Sequence, residues 1–190
     1  MLPFRDTDAL VIVDVQNDFL PGGALAVPDG DAVIPVLNHW IDAAERAGVP
    51  IFFTRDWHPA DHVSFEAQGG PWPPHCVQDT TGAAFDERLH VPNDATVVSK
   101  ATRPEAEAYS GFDTTDLAEQ LRARGIERVF VGGLATDYCV RATVLDALRE
   151  GFEVRVIDEG IRGIAPETTE KARSEMAAGG AAFETTGTSA

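Results

Sequence analysis

The chain alternates short, unbroken apolar runs with segments whose apolar residues recur at helical spacing. Ala9-Leu10-Val11-Ile12-Val13 runs without interruption into Asp14 and Val15, the pattern of a strand buried on both faces, with Asp14 at its carboxyl end. From Val33 the positions Val36, Leu37, Trp40, Ile41, Ala44 and Ala47 mark one helical face. Gly48 stops that helix, and Pro35 is tolerated in its first turn. Residues 49–54 read as a second buried strand that runs into Arg55-Asp56-Trp57-His58, and residues 95–99 as a third that ends at Lys100. A helix over residues 115–124 leads to a fourth strand at 128–131. The glycines Gly132-Gly133 then predict a tight turn, and a helix begins near Thr136 or Asp137, so that Cys139 sits on its first turn. Val140, Val144, Leu145 and Leu148 form the apolar stripe of that helix, which Gly151 ends. Residues 153–157 predict a fifth strand, Pro166–Ala178 a helix with proline at its start, and residues 181–185 a short sixth strand.

Strand and helix alternate throughout, which predicts an α/β fold: a doubly wound three-layer αβα sandwich with a mostly parallel sheet of about six strands. At 190 residues and 44% hydrophobic content the chain has enough apolar material for one domain, residues 1–190. Two stretches break the periodicity. Residues 16–30 read as loop, with Pro21-Gly22-Gly23 and Pro28-Asp29-Gly30 as turn signals. Residues 59–89 are rich in Pro and Gly and carry His62 and His75; so long a loop in a compact domain is functional or disordered, and its histidines and tryptophans argue for function. The small, polar tail from residue 185 onward is expected to fray.

Charge narrows the partners. A formal net charge of -16 excludes nucleic acid and anionic membrane surfaces as natural partners. No basic-then-apolar leader opens the chain and no run is long enough to span a bilayer, so the cytoplasm is the expected compartment. Cys76 and Cys139 are too few for a disulfide framework and are expected to stay reduced there.

Asp14, Lys100 and Cys139 fall at the carboxyl ends of three predicted strands, and in a doubly wound sheet those ends line one crevice. A helix start favours a thiolate, a desolvated carboxylate can take the thiol proton, and a lysine beside them stabilises developing negative charge. The second cluster is Asp56-Trp57-His58-Pro59-Ala60-Asp61-His62, followed by His75. Carboxylate and imidazole donors suit a divalent first-row metal, with zinc, iron and manganese all compatible. His39 and His90 read as ordinary surface or packing residues.

Together these stretches resemble the nicotinamidases of the isochorismatase-like cysteine hydrolase family. The resemblance runs through Val13-Asp14-Val15-Gln16-Asn17-Asp18-Phe19, Arg55-Asp56-Trp57-His58-Pro59, Trp72-Pro73-Pro74-His75-Cys76, Ser99-Lys100, Tyr109-Ser110-Gly111-Phe112 and Gly133-Leu134-Ala135-Thr136-Asp137-Tyr138-Cys139-Val140. It implies Cys139 as nucleophile, Asp14 as general base and then acid, and Lys100 as their electrostatic partner. It implies one divalent metal ion, zinc before iron or manganese, on Asp56, His58 and His75, with His62 as a further ligand in some members. A cis peptide between Leu134 and Ala135 would set the Ala135 N–H beside that of Cys139 as an oxyanion hole. Phe19, Trp72, Leu134, Ala135 and Tyr109 would line the pocket for nicotinamide, whose hydrolysis to nicotinate and ammonia serves NAD salvage. Homo-oligomerisation and activity on pyrazinamide stay open. Two rivals remain: another member of the superfamily, acting on a carbamoyl or ureido amide or on isochorismate, and a non-catalytic metal-binding or thiol-sensing protein in which Cys76 and Cys139 respond to oxidants.

Overall fold

A computed structural model describes residues 4–185; the expected frayed tail, residues 185–190, lies outside the described residues beyond its first position. Its centre is a six-stranded sheet: β1 Asp8–Val13, β2 Ile51–Asp56, β3 Thr96–Lys100, β4 Arg128–Leu134, β5 Glu153–Arg162 and β6 Ala182–Glu184. The order across the sheet is β3-β2-β1-β4-β5-β6 and every described pair is parallel. Parallel strands need crossovers; α1 Val33–Ala47, α2 Leu117–Ala123, α3 Arg141–Arg149 and α4 Pro166–Ala178 supply all but the one from β2 to β3.

Because strand side chains alternate, the sheet feeds two cores. Leu10, Ile12, Phe53 and Phe130 pack on one face against Leu37, Trp40 and Ile41 of α1. Val11, Val13, Val129 and Val131 pack on the other against Leu117 of α2, Val144 of α3 and Met176 of α4. Each fully buried aliphatic side chain is worth roughly 1.5–3 kcal/mol of transfer free energy, which explains why the strands read as continuous apolar runs. On the α1 face, the aperiodic segment between β2 and β3 takes the place of a second helix: Cys76, Ala83 and Leu89 are buried there, with Phe85 and Val91 packed beside them. Main-chain bonds join it to the loop after β1, the Asn17 N–H donating to Ala84 O at 2.9 Å.

One expectation is corrected. Gly132 and Gly133 form no turn; they lie inside β4, which runs on to Leu134 with a register shift between Val131 and Gly133. At Gly133 glycine is required for close approach: a Cβ there, where φ is +131°, would stand 2.0 Å from Val13 O, while one on Gly132 would press on the Leu37 side chain. The helix start is also altered. Thr136–Val140 forms a π turn, with the Val140 N–H donating to Ala135 O at 3.1 Å, before α3 begins. Among the described residues no helix is long and apolar enough to cross a membrane.

Candidate active site

The strand order reverses between β1 and β4, and the carboxyl ends of β1, β2, β3 and β4 open on one crevice there. Register brings the reactive groups together: Val13 pairs with Thr54 and Asp56 with Lys100. The backbone leaves regular geometry at three of these places, with φ of 49° at Asp14, 51° at Ala101 just after Lys100, and 46° at Cys76 just after His75. Left-handed conformations are costly for residues other than glycine and concentrate at functional sites.

Lys100 Nζ lies 2.8 Å from Asp14 Oδ2 and in contact with Asp56 Oδ1. It donates to Ala108 O at 3.3 Å and stands 3.5 Å from Cys139 Sγ. The Thr54 hydroxyl donates to Asp14 Oδ1 at 2.7 Å. Asp14, Lys100, Asp56 and Cys139 are all buried, so two carboxylates and a thiol share one ammonium. Burial alone would strip Lys100 of its proton, but Asp14 and Asp56 outweigh it and hold the ammonium well above its ordinary range. Burial raises the Asp14 carboxyl against the pull of Lys100, with Asp56 adding to the rise. Burial likewise raises the Cys139 thiol, Lys100 opposing and Asp14 and Asp56 adding. Burial and the neighbouring carboxylates thus act against the thiolate that the helix start favours, and Asp14 stands beside the thiol as its base.

Asp56 belongs to a second group as well. Donor atoms of Asp56, His58 and His75 lie within 4.8 Å of one another, all buried. The Nδ1 of His58 meets His75 O at 3.0 Å and that of His75 meets Pro73 O at 2.8 Å. Each carbonyl assigns the proton to Nδ1 and leaves Nε2 as the donor, the usual second-sphere arrangement of a metal-binding histidine. His58 Nε2 is buried without a hydrogen-bond partner. Burial would lower the His58 ring, yet Glu107 and Asp56 outweigh it and raise it, so the surroundings favour positive charge at this point. Burial lowers His75 and keeps it neutral. These residues fit a divalent cation. The Gln16 side chain fixes the Asp56 backbone: its Nε2 donates to Asp56 O at 2.8 Å and its Oε1 accepts the Asp56 N–H at 2.8 Å.

Phe19, Trp72, Tyr109 and Ala135 line a pocket that reaches Asp56, His75 and Cys139. Trp72 Nε1 donates to Tyr109 Oη at 3.1 Å, and Trp72 and Tyr138 meet edge to face with ring centres 5.2 Å apart. The Leu134–Ala135 peptide is cis. Leu134 is the exception among the expected pocket residues: its side chain is fully buried in the α1-side core, and only its peptide reaches the site. His62 lies near His58, but its ring is occupied, Nδ1 meeting Ser64 Oγ at 2.7 Å and Nε2 meeting Ala106 O at 3.0 Å. His39 is exposed on α1, and His90 pairs with Glu45 at the surface.

Leu25, Val27, Tyr138 and Ile164 also line the pocket without having been anticipated. Gln16 and Asp18 lie inside a recognised motif and still had no role from sequence; the Asp18 carboxylate accepts the Cys76 N–H at 2.7 Å and so ties the His75 segment to the loop after β1. A polar residue two or four positions after Asp14, in a loop otherwise free to vary, was the available signal. Ile164 offered none, because only the extension of β5 to Arg162 delivers it to the crevice.

Nearly the whole chain resembles known proteins. Residues 8–188 match the isochorismatase domain. The chain is 42% identical to a nicotinamidase of Escherichia coli K12, covering 93% of this chain and 94% of that protein. It is 41% identical to a nicotinamidase/pyrazinamidase of Mycobacterium tuberculosis, over 88% and 93% of the two chains. The crystal structure of a pyrazinamidase of Pyrococcus horikoshii in complex with zinc superposes with a TM-score of 0.92 at 52% identity, covering 94% of this chain and 99% of that one. A buried Asp–Lys–Cys cluster at the switch point of a parallel sheet, with this match over nearly its whole length, makes the chain a member of the isochorismatase-domain family.

Proposed function

We propose that this protein is a nicotinamidase, hydrolysing nicotinamide to nicotinate and ammonia in NAD salvage. The observation that carries the reading is the sharing of Asp56: one carboxylate joins the Lys100 cluster to the His58 and His75 donors, and both open on one aromatic pocket. Relatives that are nicotinamidases and a zinc-bound pyrazinamidase support it.

In this reading the aromatic rings of Phe19 and Trp72 hold the pyridine ring over Cys139. Asp56, His58 and His75 would hold a divalent ion, zinc by analogy with the zinc-bound relative, which would supply a Lewis acid for the ring nitrogen. Asp14 takes the Cys139 proton, and the sulfur forms a bond to the amide carbon as the carbonyl electron pair moves to oxygen. The N–H groups of Ala135 and Cys139 receive that oxyanion. Asp14 then returns its proton to the departing nitrogen, the C–N bond breaks, and ammonia leaves a thioester. Water loses a proton to Asp14 and adds to the thioester carbon; the C–S bond breaks, and sulfur regains the proton as nicotinate departs. Lys100 keeps its charge throughout and offsets that of the thiolate. The acidic surface and two free thiols fit a cytoplasmic location.

The test is ammonia release from nicotinamide, with metal content measured on the same sample and Asp56→Ala beside it. Turnover that vanishes with the metal supports the reading. A metal-loaded wild type without turnover of nicotinamide rejects the substrate.

A further inference from the structure

The pocket has two walls that belong to opposite faces of the sheet. Leu25, Val27 and Ile164 pack with the α1-side core, whereas Tyr109 and Tyr138 pack with the core under α2, α3 and α4. One side chain that does not line the pocket joins them. Asp137 precedes Tyr138 on the π turn, two residues before Cys139, and turns its carboxylate to the segment that carries Ile164. Its Oδ1 accepts the Ile164 N–H at 3.0 Å, and its Oδ2 accepts the Ala165 N–H at 3.3 Å and the Thr168 hydroxyl at 2.6 Å. Helix α4 begins at Pro166 with Ala165 as its cap residue, which has no side-chain acceptor of its own. A carboxylate from another element is brought there instead, where the positive end of the helix dipole favours it.

No step of the reaction above uses Asp137, and hydrogen bonds to a carboxylate are the stronger class in proteins. We infer that Asp137 is a positioning residue that sets the width of the substrate pocket. By clamping the Ile164 segment to the turn of Tyr138 and Cys139, it fixes the gap between the aliphatic and the tyrosine walls and so limits the size of amide that reaches Cys139. The inference rests on this pocket being the one in which the proposed reaction occurs. With the clamp intact, an unsubstituted flat heteroaromatic ring is favoured over one that bears an added alkyl group. A single methylene against an apolar wall changes discrimination about 10–200-fold, so a wall held in place is enough to select substrates.

The test compares the rates at which Cys139 is alkylated by iodoacetamide and by the bulkier N-phenyl iodoacetamide. It is made on wild type, Asp137→Ala, Asp137→Asn, Ile164→Ala and the Asp137→Ala/Ile164→Ala double variant, with the labelled residue located by mass spectrometry and far-UV circular dichroism to confirm folding. The ratio of the two rates cancels changes in thiol reactivity and reads the width of the pocket. Asp137→Ala and Ile164→Ala should each raise the bulky-to-small ratio about ten-fold. Asp137→Asn, which keeps one acceptor oxygen, should fall between wild type and Asp137→Ala. The double variant should match Ile164→Ala within about two-fold, because the clamp acts through the side chain already removed. The kcat/KM for a ring-methylated nicotinamide, relative to that for nicotinamide, should rise in the same order. A wild-type ratio in folded Asp137→Ala, or in Asp137→Asn should the Ala variant not fold, would overturn the clamp. A further ten-fold rise in the double variant would mean that Asp137 acts on the Cys139 turn and not through Ile164, and would overturn it too. Wild-type protein that hydrolyses neither amide, with the ratio still shifted in the variants, would reject nicotinamide as substrate and keep the clamp.

Discussion

Strand β1 carries a buried aspartate at each end, and the two are used in opposite ways. At its start Asp8 faces Arg128 across the β1–β4 register; Arg128 Nε donates to Oδ1 at 2.9 Å and Nη2 to Oδ2 at 2.7 Å. That is a two-pronged pair, with the half-exposed Glu153 as a second acid 3.9 Å from Arg128 Nη1. Just past its end, Asp14 shares Lys100 with Asp56 and lies beside a thiol. There the negative groups outnumber the cation. The two-pronged pair fully engages the Asp8 carboxylate, whereas the Lys100 cluster holds one carboxylate ready for a proton and turns another toward the histidines. Burial of charge is common to both ends; the sharing of one buried ammonium by two buried carboxylates and a thiol is what marks the site.

The largest effect that would break this contrast comes from Cys139→Ala. Amide turnover should fall on the order of 10^4-fold or more while bound zinc stays at the wild-type level, measured by ammonia release and metal analysis. Retained turnover would place the nucleophile elsewhere. Lys100→Met should cost both properties: turnover on the order of 10^2–10^3-fold and stability by roughly 3–5 kcal/mol, since it leaves buried carboxylates without their cation. Arg128→Met, at the other end of β1, should lose a similar ~3–5 kcal/mol in urea unfolding while turnover per folded molecule stays within about two-fold. If Arg128→Met lowered turnover as much as Lys100→Met does, the two ends would not be separable.

The smallest effect concerns pH. Burial holds the Asp14 carboxyl above the ordinary aspartate value of 3.8, with Lys100 and the Thr54 hydroxyl acting against that rise. The carboxylate is the form that accepts the Cys139 proton, so turnover should fall as pH drops through this raised pKa. Thr54→Val removes a bond that favours the charged form and should move the acid limb upward by about one unit. A downward move would mean that the limb belongs to another group. The sign for stability is opposite to that of a salt-bridged acid. Between 3.8 and the raised value the native state binds the extra proton, so Asp14 favours the fold at low pH and its contribution is lost as pH rises through that window.

Legibility differed between strands and loops. Asp14, Lys100 and Asp56 were readable because continuous apolar runs locate strand ends, and strand ends of a doubly wound sheet share a crevice. Gly132 and Gly133 misled, because glycine beside an apolar run is a turn signal when the alternative, β1 too close to Gly133 for a Cβ and Leu37 of α1 packed on Gly132, is invisible locally. Cys139 and its base Asp14 were legible along the chain, but the raising of the thiol by burial and two nearby carboxylates depends on contacts between distant segments. Leu134 was put in the pocket by its neighbours, yet alternation along β4 sends its side chain into the core.

By itself the sequence determined which residues could do chemistry and, through period-two and helical patterning, which ends of which elements would carry them. Tertiary structure decided how they divide the work. Asp56 serves two groups because its register partner is Lys100 and its chain neighbours lead to His58. His62 holds Ala106 because residues 57–95 fold over the α1 face and meet the segment after β3. Periodicity is a property of neighbours along the chain and survives in a one-dimensional reading. The number of cations and carboxylates around a buried atom is set by contacts between distant segments, and only the folded chain brings those together.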